Sequence, residues 1–376
     1  MQCGAASMLD AGIGFCYQRA VRAKLIADAK LVVVKLGTGI LTDRRNRLAS
    51  SRIKQIVAQV ARARKAGREV VLVSSGAVGA GMEALGYEKR PTRLEELQAC
   101  AAVGQSRLMA VYQELFAAHE IQAAQVLLTH ADLQDHDRHL NARNTLMALL
   151  ARGVVPVINE NDAVSFTELT VGDNDKLSAL VAALLPADLL VLLTTAEGLV
   201  RNFGKANAKL VATVNKIDAA TRKLAGGTQS STSVGGMASK LKAAEIVMRA
   251  GIPMLIGNGA QRGVLTKMLA AESVGTLFLP GEAKLKGRKR WIAFFHHPQG
   301  ALVVDDGAKA ALRENGMSLL TPGIVDCEGH FEAGDVVKIC DRHGTEFAQG
   351  VAKYSRAAME ENPGKVVVHR DHLVVL

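Results

Sequence analysis

At 376 residues, 49% of them hydrophobic, the chain exceeds one ordinary domain and can bury a sizeable core, so two domains are the default. A formal charge of +10 suits an anionic partner, whether nucleotide, phosphate or nucleic acid, without choosing among them. The five cysteines (Cys3, Cys16, Cys100, Cys327 and Cys340) include no Cys-x-x-Cys, which disfavours a disulfide framework or a zinc cluster and points to a reducing cytoplasm.

In the first thirty residues a short apolar patch, 11–17, precedes Arg19, Arg22 and Lys24, the reverse of a secretory signal. Asp10 and Asp28 weaken an organellar address, and residues 1–29 read as a loosely ordered extension. Residues 30–36 form a hydrophobic strand that delivers Lys35 into Gly37-Thr38-Gly39, where backbone N–H groups and an ammonium can cradle a phosphate. The spacing is not that of a Walker loop, and such a turn alone is not specific. Residues 51–66 carry helical periodicity, and 68–73 read as a second strand. It runs into Ser74-Ser75-Gly76-Ala77-Val78-Gly79-Ala80-Gly81, a second glycine-rich turn that serves either tight packing or an anion. A long helical pattern at 94–118 and a strand at 125–128 continue the alternation expected of a doubly wound, mainly parallel sheet. His130, Asp132, Asp135, His136, Asp137 and His139 invite a metal. No third ligand is forced onto one helix face, however, and the segment reads as solvated polar helix.

Residues 153–158 form a β-branched strand that ends in Asn159, Asn161 and Asp162, and Gly172-Asp173-Asn174-Asp175 precede the periodic apolar run 177–185. Capping a helix start occupies one or two of these side chains. The others are left at the carboxyl end of a strand, where open α/β sheets bind ligands. The apolar stretch 177–193 is divided by Pro186 and Asp188 into a helix and a strand and is not a membrane span. That strand, 188–193, ends in Thr194-Thr195. Ser233-Val234-Gly235-Gly236-Met237-Ala238-Ser239-Lys240 opens a helix at 241–250, with Lys240 able to reach a phosphate. A further strand starts at Met254.

From 280 to 290 the chain is polar, basic and turn-rich, as in a linker. Beyond it, short β-like pieces at 291–295, 301–304, 336–339 and 366–369, with a helix at 308–314, suggest a small, mostly β barrel. The expected divisions are an extension at 1–29, an α/β domain at 30–280 and a small domain at 288–376.

The ordered set VVVKLGTG, VSSGAVGAG, LNARNTL, PVINENDAV, VGDND, LLTT and VGGMASK resembles the glutamate 5-kinases of the amino acid kinase family over roughly 31–280, and the remainder is similar to a PUA domain. INENDAV followed by VGDND is the specific part of the match. The resemblance implies the amino acid kinase fold followed by a PUA-like barrel. It also implies ATP-dependent phosphorylation of the γ-carboxylate of L-glutamate, the first step of proline synthesis. It places Ser75, Asp162 and Asn174 on glutamate, Lys35 and Lys240 on the transferring phosphoryl group, and Asp175 as the acid that orients those lysines. Thr194, Thr195 and the run Val234, Gly235, Gly236, Met237, Ala238, Ser239 and Lys240 fall on the nucleotide, with Lys35. A carboxylate is already nucleophilic, so aligning two anions and screening their repulsion is the main task. Lysines, glycine-loop amides and Mg2+ carried on the ATP phosphates suffice, with no metal ligand from the protein. A dimer or tetramer and feedback by proline near the glutamate site are also implied.

Two residues depart from the family pattern: Thr195 stands where Asp is usual, and Val234 where Thr is usual. If the resemblance places these positions on the nucleotide, each change would remove a hydrogen bond worth about 1 kcal/mol and weaken ATP binding or alter nucleotide preference. A sister kinase acting on acetylglutamate, aspartate, carbamate or a nucleoside monophosphate would share the glycine turns, but INENDAV, VGDND and the carboxy-terminal module argue against it. RNA binding through Arg288-Lys289-Arg290 beside Trp291 is a second alternative, although a charged linker next to a buried tryptophan is commoner.

Overall fold

The computed structural model describes residues 19–43, 47–164, 173–185, 187–225, 236–281, 288–295, 298–361 and 363–376. Residues 1–18 of the expected extension, Gly172, Val234 and Gly235, and the side chains of Asp173, Arg288, Arg290 and Trp291 lie outside what is described. The chain divides into two compact units, Met1–Ala283 and Lys284–Leu376.

In the first unit, β1 (Leu31–Leu36) is valine-rich and buried along its whole length, as a strand covered on both faces must be. It is followed by β2 (Glu69–Ser74), β3 (Ala123–Leu128), β4 (Val155–Glu160), β5 (Leu189–Thr194), the short β6 (Val200–Arg201), β7 (Lys209–Leu210) and β8 (Thr213–Val214), then β9 (Met254–Asn258) and β10 (Thr276–Phe278). Among the described residues, eight of these form one sheet in the order β3-β4-β2-β1-β5-β9-β10-β8, parallel except where β10 runs against β9. The order reverses at β1, between β2 on one side and β5 on the other, the crevice position at which such sheets bind ligands. The start of β1 is fixed by Asp188, whose Oδ2 accepts from the N–H groups of Lys30 (2.9 Å) and Leu31 (2.8 Å).

The connections are α1 (Thr38–Leu41), α2 (Ser50–Lys65), α3 (Ala77–Ala84), α4 (Leu94–Ala117), α5 (His130–Gln134), α6 (His136–Ala151), α7 (Asp173–Leu184), α8 (Ala219–Ala225), α9 (Met237–Arg249) and α10 (Val264–Leu269). In α2, Ile53, Ile56, Val57 and Val60 repeat at helical spacing and pack with Val32, Val34 and Leu72 of the sheet. The polar segment after β3 is not solvated throughout, as the sequence suggests. Thr129 and Asp132 form a capping box on α5, Asp135 caps α6, and His139 is buried with Nδ1 3.3 Å from the Leu133 carbonyl.

The glycines after β2 divide between two tasks. Gly76 caps α3 at φ +103°, a conformation strained for any side chain, and so allows the sharp exit from the strand. Gly81 instead lets α3 lie against α4: a Cβ there would sit 1.8 Å from the Cys100 carbonyl oxygen, and one on Gly104 would sit 1.8 Å from that of Ala77. Backbone meets backbone at this crossing, so neither side can yield cheaply. Gly104→Ala is therefore expected to cost about 3 kcal/mol, read as a lower urea midpoint at unchanged m-value. A loss under about 0.5 kcal/mol would contradict the close approach.

The second unit is mostly β, as expected. It comprises β11 (Gly300–Val304), β12 (Leu319–Leu320), β13 (Ile324–Gly329), β14 (Val336–Cys340), β15 (Glu346–Ala352) and β16 (Val366–Val375), in the order β12-β16-β15-β14-β11-β13. All pairs are antiparallel except β11 with β14, over a core that includes Leu302, Phe331, Val337, Ile339, Phe347 and Val367. Residues 291–295, expected as a strand, lie instead in a helix, α11 (Arg288–Phe295). The buried pair Ile292 and Phe295 is three residues apart, one turn of a helix, whereas a strand would have buried alternate positions. The helix expected at 308–314 is α12 (Asp306–Glu314), capped by Asp305, which accepts from the Ala308 N–H at 2.7 Å.

Candidate active site

Because β1, β2, β4 and β5 are parallel, their carboxyl ends share one edge of the sheet. Polar side chains gather there. Lys35, in β1, places Nζ 2.6 Å from Asp175 Oδ1, and Lys240, in the first turn of α9, places Nζ 3.2 Å from Asp175 Oδ2. Ser239 Oγ lies 2.7 Å from the same Oδ2 and 2.8 Å from the Gly236 carbonyl. Asp175 is 0% exposed, Lys35 5% and Lys240 4%. Two buried ammoniums against one carboxylate leave one positive charge in excess, which suits an incoming anion. Burial by itself would raise the Asp175 carboxyl, but Lys35, Lys240 and Ser239 together outweigh it and hold it below the usual carboxylate range. Burial lowers the Lys240 ammonium below its ordinary value, opposed by Asp175.

A second network abuts the first. Asn174, beside Asp175 in α7, donates from Nδ2 to Ser75 Oγ (2.9 Å) and to Asn159 Oδ1 (3.2 Å). Asn159, in β4, donates in turn from Nδ2 to Gln105 Oε1 of α4 (3.0 Å), and its Oδ1 also accepts the Glu160 N–H (3.0 Å). Ser75 is tied to β1 through its N–H, which donates to the Leu36 carbonyl at 3.2 Å. A cavity of about 220 Å³ opens between α4 and the ends of β3 and β4, bordered by Ala77, Gln105, Gln125, Glu160, Asn161 and Asp162. That volume is below the roughly 300–1,000 Å³ of drug-sized sites and fits a small polar metabolite.

The structure thus brings together Lys35, Lys240 and Asp175, and joins Ser75 to Asn174 by a hydrogen bond. It sets Asp162 on the cavity wall. The residues that the sequence resemblance would place on a nucleotide are more open. Thr194 ends β5 with its carbonyl accepting from Gly259 N–H (2.8 Å), and Thr195 is exposed, its Cγ2 within 2.9 Å of where a Cβ on Gly39 would lie. Gly236 is the residue before α9, with nothing within 4 Å of a Cβ built on it. Met237 beyond it is buried and Ala238 exposed. The Gly37 N–H, read from the sequence as part of a phosphate cradle, donates instead to the Leu193 carbonyl at 3.0 Å. A Cβ on Gly37 would meet the Leu193 carbonyl oxygen at 3.4 Å and Lys35 Nζ at 3.5 Å, ordinary van der Waals contact, so neither space nor its φ of −73° requires glycine there.

Sequence reading missed Gln105 and Glu160. Gln105 follows the buried stripe Leu97, Ala101, Leu108 and Tyr112, so a polar residue at that helical spacing was the available signal. Glu160 ends a strand buried at every position, which makes it one of the few buried carboxylates among the described residues. Among the described residues no group of three or more His, Cys, Asp or Glu is placed to hold a metal.

The model of the amino acid kinase family matches residues 30–258, and that of the PUA domain residues 300–374. Among curated proteins, the chain is 44% identical over 368 residues to a glutamate 5-kinase of Moorella thermoacetica, covering 93% of this chain and 97% of that one. It is 43% identical over 373 residues to a glutamate 5-kinase of Geobacter sulfurreducens, covering 95% and 100%. Against one from an Enterobacter species the identity is 44% over 367 residues, covering 93% and 100%.

Proposed function

Because the chain belongs to the amino acid kinase family, and within it to the glutamate 5-kinases, we propose that it transfers the γ-phosphoryl group of ATP to the γ-carboxylate of L-glutamate, giving glutamyl 5-phosphate. The observation that supports this chemistry is the buried Asp175 bridging Lys35 and Lys240. A carboxylate nucleophile needs no general base, and both Asp175 oxygens are occupied, so Asp175 positions the lysines rather than moving a proton. Lys35 and Lys240 meet the charge on the transferring phosphoryl oxygens. Ser75, Asn174 and Asp162 hold glutamate. Thr194, Thr195 and the run from Val234 to Lys240 take the nucleotide. Magnesium, carried on the ATP phosphates, supplies further charge screening.

The test is ATP turnover across glutamate, aspartate and acetylglutamate, with the acyl phosphate trapped by hydroxylamine. L-Glutamate alone should give the hydroxamate, and a signal from another acid without one from glutamate would overturn the reading.

We further place catalysis within 30–280, separable from 288–376. A truncation after Glu282 should stay soluble and phosphorylate glutamate within about an order of magnitude of the full chain, allowing ~1–2 kcal/mol for a lost contact. Cooperative thermal unfolding with no detectable activity would place an essential group in the second unit. A cytoplasmic setting is supported by the unbridged, buried thiols Cys100 and Cys340, which burial pushes to higher pKa. No described helix is long and apolar enough to cross a membrane. Family membership further implies a homodimer or homotetramer and feedback by proline near the glutamate site.

A further inference from the structure

Ser239, the third residue of α9, is half-buried, with Oγ 2.7 Å from Asp175 Oδ2 and 2.8 Å from the Gly236 carbonyl oxygen one turn back. A hydroxyl carries a single proton and can donate to only one of these acceptors at a time. The carboxylate is ionised and fully buried, and a hydrogen bond to a charged acceptor is about twice as strong as one to a neutral carbonyl. The proton therefore goes to Asp175.

That bond decides how the carboxylate sits between the two lysines. Lys35 Nζ lies close to Oδ1, at 2.6 Å, whereas Lys240 Nζ lies 3.2 Å from Oδ2. With these two contacts alone, the carboxylate gains by turning both oxygens onto the nearer ammonium, and Lys240 then loses its hold on Oδ2. A donor on Oδ2 opposes that rotation, so one carboxylate keeps serving both ammoniums. Asp175 stands in the first turn of α7, and Ser239 and Lys240 are adjacent in the first turn of α9, so the hydroxyl ties the starts of two helices together at the point where both cations are aimed.

We propose that Ser239 is a positioning residue for phosphoryl transfer: its hydroxyl holds Asp175 Oδ2 so that Lys240 stays aimed together with Lys35, and its side chain does not serve the nucleotide. This rests on the reading of the site as a phosphoryl-transfer centre and narrows it at one position, where the sequence resemblance puts Ser239 on the nucleotide. The two roles differ in what they do to the kinetics. A hydroxyl bonded to ATP contributes already in the bound ground state, so its loss raises the ATP KM. One that keeps Lys240 aimed contributes as charge builds on the transferring oxygens, so its loss lowers kcat.

The full chain carrying Ser239→Ala is assayed with ATP and L-glutamate beside Ser239→Cys, which keeps the shape but offers only a weak donor, and Ser239→Thr, which keeps the hydroxyl. Ser239→Ala and Ser239→Cys should each lower kcat about tenfold to a hundredfold, with the KM for ATP and for glutamate within threefold of wild type. Ser239→Thr should recover kcat to within threefold. Where Ser239→Ala lowers the thermal midpoint, the near-isosteric Ser239→Cys decides. A fall in kcat under threefold, a rise in the ATP KM larger than the fall in kcat, or a Ser239→Thr enzyme no better than Ser239→Ala overturns the proposal, while normal wild-type turnover leaves the kinase reading standing. Absence of glutamate turnover in the wild type removes both.

Discussion

Lys35→Ala should lower kcat by about a hundredfold to a thousandfold, with little change in the glutamate KM. The expectation follows from charge counting in a dry site. Wild-type Lys35 and Lys240 against Asp175 leave one positive charge in excess; without Lys35 the cluster is neutral and offers nothing to the charge that builds as the phosphoryl group moves. The fold should survive, because Asp175 keeps Lys240 at 3.2 Å and Ser239 at 2.7 Å. Circular dichroism and the thermal midpoint check that condition. A drop below about tenfold with normal folding would show that the Lys35 ammonium is not where charge develops.

Why Lys35 could be read from the chain and Gln105 could not is a matter of local signal. Lys35 interrupts an otherwise apolar strand just before a glycine turn, so its singularity is visible within eight residues or so. The alternation of strands and helices carried the doubly wound sheet in the same local way. Asn174 and Asp175 sit at a helix start, where capping explains an acidic residue equally well, and only the distances to Ser75 and Lys35 separate the two tasks. Gln105 is one polar residue in a long helix, and its meaning depends on Asn159, fifty-four positions away in sequence and 3.0 Å away in space. The same limit explains α11: four aromatic or β-branched residues near 291–295 favour a strand by composition, and tertiary burial of Ile292 and Phe295 decided for helix. The glycines after β2 carried two meanings at once, because a tight turn and a helix crossing both require the missing Cβ.

Asp175→Asn should be the most damaging single change in both activity and stability. Removing the carboxylate leaves two buried ammoniums facing each other without a counter-charge, and breaking a buried ion pair in this way costs about 3–5 kcal/mol. For a unit of this size the thermal midpoint should fall on the order of 10 °C. The pH dependence gives a second, independent reading. The folded-state pKa of Asp175 is depressed below its unfolded value, so its contribution is fully present above the unfolded value and is lost as pH falls through the folded one. The stability gap between wild type and Asp175→Asn should therefore hold from pH 7 down to about 4 and narrow in more acid solution, where a protonated Asp175 resembles the amide. Urea unfolding at pH 7, 5 and 3 measures the gap directly. A gap already absent at pH 7 would mean that Asp175 does not hold the lysines, and one that widens below pH 4 would mean that its folded pKa is raised instead.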